Sequence, residues 1–319
     1  MHYATNLIFM INIMNLSHIT KTGTRGPSNE VPMTPRISFE FFPPQTLDAS
    51  FRLWEAAQVL APLRPGFVSV TYGAGGTTRK LTHEAVGAIG QNFGLNVAAH
   101  LTCVEASRAE TLEIADAYAA AGVTEIVALR GDPPKGAGAF RPHPEGFRDT
   151  VELVEALAGT GKFKVRVGAY PEPHPEAAGT AGDIAWLKRK IDAGATSAIT
   201  QFFFEAETFF RFRDACEKAG IDAPIIPGIL PIQSWDGAKR FAARCGTTVP
   251  GWLDEAYAHA IRDGHETLLS TALASELCDD LIQGGVTDLH FYTLNRPQMT
   301  RDVCFALGIV PEVSLQNVA

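Results

Sequence analysis

Short apolar segments alternate with longer amphipathic segments along this chain, about once every 30 residues. Eight apolar segments are rich in Val, Ile and Phe, and several are hydrophobic almost throughout. Strands of a parallel sheet that is buried on both faces have this pattern. The predicted strands are Ile37–Phe42, Phe67–Tyr72, Val97–Cys103, Glu125–Gly131, Lys164–Tyr170, Ala198–Phe204, Pro224–Leu230 and Thr287–Leu294.

The segments between the strands have the apolar spacing that is typical of helices. Several of them are followed by glycine, which readily takes the left-handed conformation at a helix end. The predicted helices are Ser50–Leu63, Thr78–Phe93, Ala106–Ala121, Phe147–Ala158, Asp183–Ala193, Glu207–Ala219, Trp235–Cys245 and Gln298–Leu307, with a longer helical region over Leu253–Gln283. Strict alternation of strands and helices predicts an α/β fold with right-handed crossovers.

Eight strand–helix repeats favour a closed (β/α)8 TIM barrel with extra helices. An open doubly wound sheet is the alternative, but no GxGxxG motif follows the first strand. We expect a single barrel over residues 35–312 and a C-terminal tail over residues 313–319. Residues 1–34 are expected to be a disordered extension, or to reflect a translation start placed upstream of the true one at Met14 or Met33.

The composition is that of a soluble globular protein with a large core, with 46% hydrophobic and 19% charged residues. A formal net charge of -8 argues against a general nucleic-acid binder. Five cysteines without a CxxC pair predict reduced thiols and a cytoplasmic location. The apolar run Leu7–Met14 is too short to cross a bilayer and has no clear secretory flanks, so we expect no membrane association.

Glu40 lies within an aromatic strand that ends in two prolines, in the segment FEFFPP. A salt-bridged, structural glutamate is one interpretation. Glutamate is rarely buried without a partner, however. An apolar surrounding also raises the pKa of a carboxyl group, so that it can act as a general acid near neutral pH. We therefore favour a functional role for Glu40.

Two other strand ends each have two interpretations. A lone histidine on a strand, such as His100, is more often a core residue or a helper than a metal ligand. No HxH or HExxH motif occurs, so we predict no metal site. Arg130 and Asp132 could pair with each other. Gly131 between them allows a ligand to approach the backbone closely, and we favour a site there.

Further polar residues suggest the kind of ligand. The basic run Lys188, Arg189 and Lys190 is either a solvated helix face or a site for an anion such as a diphosphate. The planar amide of Gln201 suits the edge of a heterocycle. Arg296 could cap a barrel carboxylate or bind a substrate carboxylate through two hydrogen bonds. These features predict a metal-free barrel enzyme for a flat, partly anionic ligand.

Nine motifs resemble, in order, those of bacterial methylenetetrahydrofolate reductase. They are FEFFPP around Glu40, VTYGAGG at Tyr72, HLTC at His100, LRGDPP at Asp132, AYPEPHPEA at Tyr170, KRKIDAGA at Arg189, ITQFFF at Gln201, PGILPI at Gly228 and FYTLNR at Arg296. The resemblance is collinear from about Arg36 to Gly308, which is essentially the whole barrel.

This resemblance implies a flavoenzyme. Its FAD would pass hydride from NADH or NADPH to 5,10-methylenetetrahydrofolate and give 5-methyltetrahydrofolate, in a ping-pong scheme of one-carbon metabolism and methionine biosynthesis. A cytoplasmic homo-oligomer is also expected. The domain that binds S-adenosylmethionine in longer eukaryotic relatives has no counterpart after the barrel, so we expect no inhibition through it.

The matching motifs also imply residue roles. Glu40 resembles the general acid that protonates the folate and opens its five-membered ring. Asp132 would adjust flavin electronics and hold folate, Gln201 would bind the pterin edge, and Arg296 would bind the folate tail with Tyr292 nearby. The resemblance implies FAD contacts for Thr71, Tyr72, Ala74, His100, Arg130, Gly131, Asp132, Tyr170, His174, Ala177, Asp183, Arg189 and Lys190.

Three positions depart from the family pattern. Trp186 stands where a small polar residue, often Asn, is expected, and Gly237 stands where relatives can carry Gln. The loop Lys135–Gly146 is longer than in relatives, which leaves the alignment of Phe147 with an FAD contact open.

Two other functions compete with the reductase. A Schiff-base lyase or aldolase would need a lysine at a strand end, whereas Lys164 begins a strand. A barrel that binds flavin or folate without turnover would have little use for an acid, so Glu40 together with Asp132 and Gln201 favours an enzyme.

Overall fold

Nine parallel strands and ten surrounding helices make up the part of the chain that the computed structural model describes. That part comprises residues 34–72, 79–132, 136 and 140–311. The strands are β1 (Arg36–Phe41), β2 (Phe67–Val70), β3 (Val97–Thr102), β4 (Glu125–Leu129), β5 (Lys164–Ala169), β6 (Ser197–Thr200), β7 (Ile225–Ile226), β8 (Gly228–Ile229) and β9 (Asp288–Tyr292). They follow the order β7-β6-β5-β4-β3-β2-β1-β9-β8.

The two ends of this sheet meet in one short segment. β7 pairs with β6, and β8 pairs with β9, while only Pro227 separates β7 from β8. The predicted strand Pro224–Leu230 is therefore wrong as a single strand. Pro227 has no N–H group to donate to a ladder, so the pairing changes partner there. Because the same segment borders both ends of the sheet, the fold is the predicted barrel of eight strand positions.

The helices occupy the positions that the apolar spacing predicts. They are α1 (Leu47–Leu60), α2 (Arg79–Phe93), α3 (Arg108–Ala120), α4 (Thr150–Gly159), α5 (Thr180–Asp192), α6 (Ala206–Lys218), α7 (Trp235–Cys245), α8 (Gly251–Arg262), α9 (Glu266–Gln283) and α10 (Pro297–Ala306). The long helical region before the last strand is two helices, because the chain turns at Gly264, whose φ is +72°. α8 and α9 contain helical residues that the sequence predicts beyond one helix for each strand.

The observed strands end one to four residues before their predicted ends. The largest difference follows β6, where the prediction extends to Phe204. Phe202 and Phe203 are buried, but Phe202 stacks on Phe241 and Phe203 stacks on Phe209. These aromatic residues therefore pack against helices and do not extend the ladder. Several predicted site residues consequently lie in the loops directly after the strands.

Hydrophobic residues pack on both sides of the strands. A large cluster lies between the strands and helices, and it includes Phe39, Leu101 and Val167. A second cluster is made by Phe67, Ala98, Val127, Ile199 and Ile226. Neighbouring residues on a strand point to opposite faces. Ser38 and Glu40 are two positions apart and therefore lie on the same face of β1.

Some sequence-based expectations concern residues outside the described ranges. Residues 1–33 and 312–319 lie outside them, as does Ala74 in the Gly-rich turn and most of residues 133–139. Among the described helices, none is both long enough and apolar enough to cross a membrane.

Candidate active site

Most predicted site residues lie at the carboxyl ends of the strands. Glu40, His100 and Tyr292 are within the last three residues of β1, β3 and β9, and Thr71 and Gln201 directly follow β2 and β6. In a parallel barrel these ends form one face, which is where active sites of this fold are built. The structure therefore has these side chains at the strand ends where the sequence predicts them.

Glu40 occupies a largely enclosed position between two histidines. Its side chain is 16% exposed, and its Oε2 lies 3.4 Å from Nε2 of His100 and 3.8 Å from Nε2 of His290. Both histidines are buried. Burial lowers the pKa of His100, and the nearby carboxylate of Glu40 opposes that effect only in part. His100, the nearer neighbour of the predicted acid, therefore favours its own neutral form.

His290 and Ser38 belong to this pocket although the sequence did not single them out as site residues. Ser38 Oγ lies 2.8 Å from Nδ1 of His290. The two residues are directly opposite each other in the β1–β9 pairing. A two-residue spacing was the available signal, since Ser38 precedes Glu40 and His290 precedes Tyr292 by two positions.

The loop after β9 fastens the end of β1. The Thr293 hydroxyl donates to the Glu40 carbonyl oxygen at 2.7 Å. The Asn295 side chain donates to the carbonyl oxygen of Phe42 and accepts from its N–H, both at 2.9 Å. Leu294 and Asn295 adopt left-handed backbone conformations, with φ of +52° and +53°. Two non-glycine residues in this region indicate a loop whose geometry is set by tertiary contacts.

Tyr292 is held against β6 by its hydroxyl group, which donates to the carbonyl oxygen of Thr200 at 2.6 Å. Burial raises the pKa of this tyrosine well above its ordinary value. Gly228 leaves the space that the ring needs, because a Cβ there would lie 2.5 Å from Tyr292 Cε2 and 2.2 Å from the Thr200 oxygen. This close approach explains why glycine stands in the PGILPI segment.

Gln201 and Arg296 lie in the loops that follow β6 and β9. Gln201 is half-buried, and its Oε1 accepts from the N–H of Phe202 at 3.0 Å. Arg296 is exposed at the start of α10, and its backbone N–H donates to Thr293. Its guanidinium group is therefore at the outer part of the candidate site.

A second group of polar residues surrounds the loop after β5. Tyr170 packs edge-on against His174, with ring centroids 4.8 Å apart. The backbone N–H of His174 donates to Asp183 Oδ2 at 2.9 Å, and that of Ala177 donates to the His174 carbonyl oxygen. Burial raises the pKa of Tyr170 to about 12, and the carboxylates of Asp132 and Asp183 add to the effect. Asp132, itself exposed, is thus near this group.

The three residues of the predicted basic run have different surroundings on α5. Lys190 is buried and donates from Nζ to the carbonyl oxygen of Gly168 at 2.5 Å. Lys188 pairs with Asp192 at 2.6 Å. Arg189 is exposed and stacks over Trp186, with its Cζ 4.6 Å from the ring centroid. Consecutive residues of a helix point about 100° apart, so the three cations do not form one cluster.

Arg130 and Gly131 form the loop after β4. Arg130 pairs with the exposed Glu176 at 2.7 Å and lies over the ring of Phe140. Gly131 has a φ of +86°, and a Cβ on it would lie 2.6 Å from Cγ1 of Val104. Only glycine fits here without displacing its neighbours.

These residues fit an anionic cofactor with aromatic rings. Lys190 is a buried ammonium group that donates to a neutral carbonyl oxygen, and the nearby Asp183 carboxylate offsets the effect of burial on its pKa only in part, so the negative charge of a diphosphate would stabilise it further. Tyr170 and His174 offer aromatic surface beside it. A site for a metal ion is not indicated, since the described residues contain no group of three or more His, Cys, Asp or Glu suited to one.

Replacing Lys190 by Met is expected to stabilise the ligand-free protein at pH 7. Burial lowers the pKa of Lys190 from 10.5 to about 8. Between these values the unfolded state binds more protons than the folded state. The resulting penalty of roughly 3 kcal/mol is complete below pH 8 and fades as the pH approaches 10.5.

Urea unfolding of the wild type and Lys190→Met at pH 7 and pH 10 measures this difference. Lys188→Met is the matched control, because Lys188 lies on the same helix but pairs with Asp192 and is partly exposed. A stability difference for Lys190→Met that does not change with pH would contradict the predicted cause.

Comparison with known proteins gives consistent matches over the barrel. A family model described as methylenetetrahydrofolate reductase matches residues 30–308. The 5,10-methylenetetrahydrofolate reductase of Pectobacterium carotovorum subsp. carotovorum is 43% identical over 280 residues, covering 87% of this chain and 92% of that protein. The protein of the same name from Escherichia coli strain K12 is 44% identical over 277 residues, covering 86% and 91%.

More distant proteins agree with the fold. Methylenetetrahydrofolate reductase (NADH) 1 of Arabidopsis thaliana is 35% identical, and the match covers 88% of this chain and 50% of that protein. A solved structure of an uncharacterized protein from Clostridium thermocellum, described as binding two copies of 5-methyl-5,6,7,8-tetrahydrofolic acid, has a TM-score of 0.55 at 11% identity. It covers 87% of this chain and 96% of its own, and it supports the fold alone. With the family model and bacterial relatives matching nearly the whole barrel, the chain belongs to the methylenetetrahydrofolate reductase family.

Proposed function

We propose that this protein reduces 5,10-methylenetetrahydrofolate to 5-methyltetrahydrofolate, with hydride from NADH or NADPH and with FAD as its cofactor, in a ping-pong scheme. The observation that carries the proposal is the enclosed carboxyl group of Glu40 beside two buried histidines at the catalytic end of the barrel. The names of the bacterial relatives support the folate substrate.

Glu40 is the proposed general acid. Its carboxyl group gives a proton to the amine nitrogen at one side of the five-membered ring of the folate. The bond between that nitrogen and the methylene carbon then breaks, and its electron pair stays on the nitrogen. The methylene carbon becomes an iminium carbon on the other nitrogen and accepts hydride to become a methyl group. The carboxylate of Glu40 afterwards regains a proton from solvent.

Other side chains are proposed to hold the substrate. Gln201, half-buried after β6, suits the pterin edge, and Tyr292 is hydrogen-bonded to the carbonyl oxygen of Thr200 next to it. Arg296 is exposed and suits the anionic tail of the folate. Asp132, beside Tyr170 at the rim, is placed to bind the pterin and to influence the cofactor through its charge.

The proposed cofactor site uses the residues around the loops after β2, β4 and β5. Lys190 and Arg130 supply positive charge, and Tyr170 and His174 supply aromatic surface. Thr71, half-buried after β2, borders the same end of the barrel. FAD held by these residues would supply the hydride chemistry between the nicotinamide and the folate. We place this reaction in one-carbon metabolism and methionine biosynthesis, in a cytoplasmic homo-oligomer.

Uptake of FAD tests the cofactor part of the proposal. The purified protein, incubated with FAD and then freed of excess by gel filtration, is expected to keep a visible flavin spectrum. Lys190→Met is expected to weaken this retention, and Lys188→Met is expected to leave it unchanged. A wild-type protein that stays colourless after this treatment would contradict the proposal.

A further inference from the structure

The polar network beside Glu40 contains His290, to which the resemblance gives no role. His290 is fully buried, and its ring stacks on Phe67 with centroids 5.5 Å apart and an angle of 14°. This packing holds the plane of the imidazole. Its Nε2 lies 3.8 Å from Glu40 Oε2, and its Nδ1 lies 2.8 Å from Ser38 Oγ. The two ring nitrogens therefore face two different polar groups.

The hydroxyl group of Ser38 has two neighbours that bear on which nitrogen of His290 carries the hydrogen. Ser38 Oγ also lies 3.2 Å from the carbonyl oxygen of Leu289, which can only accept a hydrogen bond. A serine hydroxyl has one hydrogen to donate. With that hydrogen on the Leu289 oxygen, Ser38 accepts from His290, and the imidazole hydrogen is on Nδ1. Nε2 then presents its lone pair to Glu40.

A lone pair at this position has different effects on the two forms of Glu40. It repels a carboxylate but accepts a hydrogen bond from a carboxylic acid. Within the described part of the chain, Nε2 of His290 makes no hydrogen bond, and neither does Nε2 of His100. A protonated Glu40 that closes the present separation of 3.8 Å would satisfy the buried acceptor of His290, which otherwise carries the cost of an unpaired polar atom.

The other titratable groups that face Glu40 are neutral. From β3, His100 is kept neutral because burial lowers its pKa. From β9, Tyr292 is kept neutral because burial raises its pKa. From β2, the residue opposite Glu40 is Ser69, which does not titrate near neutral pH. Neither titratable neighbour therefore brings a positive charge to the carboxyl group.

We infer that Ser38 and His290 are positioning residues for Glu40: Ser38 fixes the Nδ1–H form of His290, and Nε2 of His290 then orients the Glu40 carboxyl group in its protonated form. This inference rests on the proposed role of Glu40 as the acid. After Glu40 has given its proton to the substrate nitrogen, the lone pair of His290 favours the return of a proton from solvent to the carboxylate.

Ser38→Ala tests this arrangement. Without the Ser38 oxygen, His290 is free to carry its hydrogen on Nε2 and to donate to a carboxylate. We expect the folate half-reaction at pH 7 to be slowed about 100-fold, as for a misplaced catalytic group. Its pH profile should also move to lower pH. Flavin reduction by the nicotinamide and the KM for folate should stay unchanged. Ser38→Thr should restore the rate.

Ser197→Ala is the matched control, because it also removes a buried strand hydroxyl, one that accepts from Arg166 instead of His290. The folate half-reaction of this variant should keep its pH profile. Equal slowing of both half-reactions by Ser38→Ala, or no restoration by Ser38→Thr, would overturn the positioning role.

Nitrogen-15 NMR of histidine-labelled wild-type protein provides a readout that does not depend on turnover. The signals of His290 are assigned by their loss in His290→Gln. We expect a protonated Nδ1 and an unprotonated Nε2 in the wild type, and the reverse form in Ser38→Ala. A protonated Nε2 in the wild type would overturn the inference even if folate is reduced. The expected form in a protein that reduces no folate would contradict the proposed function alone.

Discussion

Glu40→Gln is expected to slow the folate half-reaction by about 10²–10⁴-fold while flavin reduction by the nicotinamide keeps its wild-type rate. Glutamine has nearly the shape of glutamate but no acidic hydrogen to give to the folate nitrogen. Rapid-mixing absorbance measurements under anaerobic conditions follow each half-reaction separately. Glu40 lies between His100 and His290 with only 16% of its side chain exposed. Water therefore cannot readily replace it as the proton donor.

Glu172→Gln is the control for this change. Glu172 also stands at the carboxyl end of the barrel, in the loop after β5, where its Oε1 accepts from the N–H of Thr248. An amide oxygen can make the same hydrogen bond, so both half-reactions should be unchanged. Equal loss of both half-reactions in Glu40→Gln would instead give Glu40 a structural role.

Glu125→Gln is expected to destabilise the protein by about 3–5 kcal/mol, because it leaves a buried guanidinium group without its counter-charge. Glu125 and Arg166 are both largely buried and are 2.5 Å apart. Asn96 donates to the same carboxylate, and Arg166 lies over the ring of Phe67 at 3.9 Å. Urea unfolding gives the free energy of unfolding of the variant.

Two further variants distinguish the loss of the buried ion pair from a general loss of stability. Replacing both Glu125 and Arg166 by Leu should cost much less than Glu125→Gln, because no unpaired charge remains. Asp116→Asn breaks the pair with Lys162, whose side chain is 48% exposed, and should cost about 1 kcal/mol or less. If Asp116→Asn and Glu125→Gln cost the same, burial of the Glu125 pair is not the cause.

The fold could be predicted from the sequence because the relevant signal is local. Strands such as Val97–Thr102 are hydrophobic almost throughout, and helix ends are marked by residues such as Gly94 and Gly122. The division of the strand at Pro227 carried a local signal too, since proline has no N–H group for a ladder. The continuous apolar run around it outweighed that signal in the prediction.

The site was predictable only in part because several of its contacts join distant parts of the chain. Ser38 and His290 meet because β1 pairs with β9, and no local pattern specifies that two residues 252 positions apart are neighbours. The separation of Lys190 from Arg189 had a simpler basis in helix geometry. The run leaves a solvated face and an anion site both open in the sequence, and α5 divides it, burying Lys190 and exposing Arg189.

The most direct test of the proposed reaction is an anaerobic cycle on one sample of FAD-loaded wild-type protein. NADH or NADPH should bleach the visible flavin absorbance. Removing the nicotinamide and adding 5,10-methylenetetrahydrofolate should then restore the absorbance and yield 5-methyltetrahydrofolate in an amount equal to the flavin. Bleached protein that stays reduced after addition of the folate, with no methylated product, would contradict the proposed function.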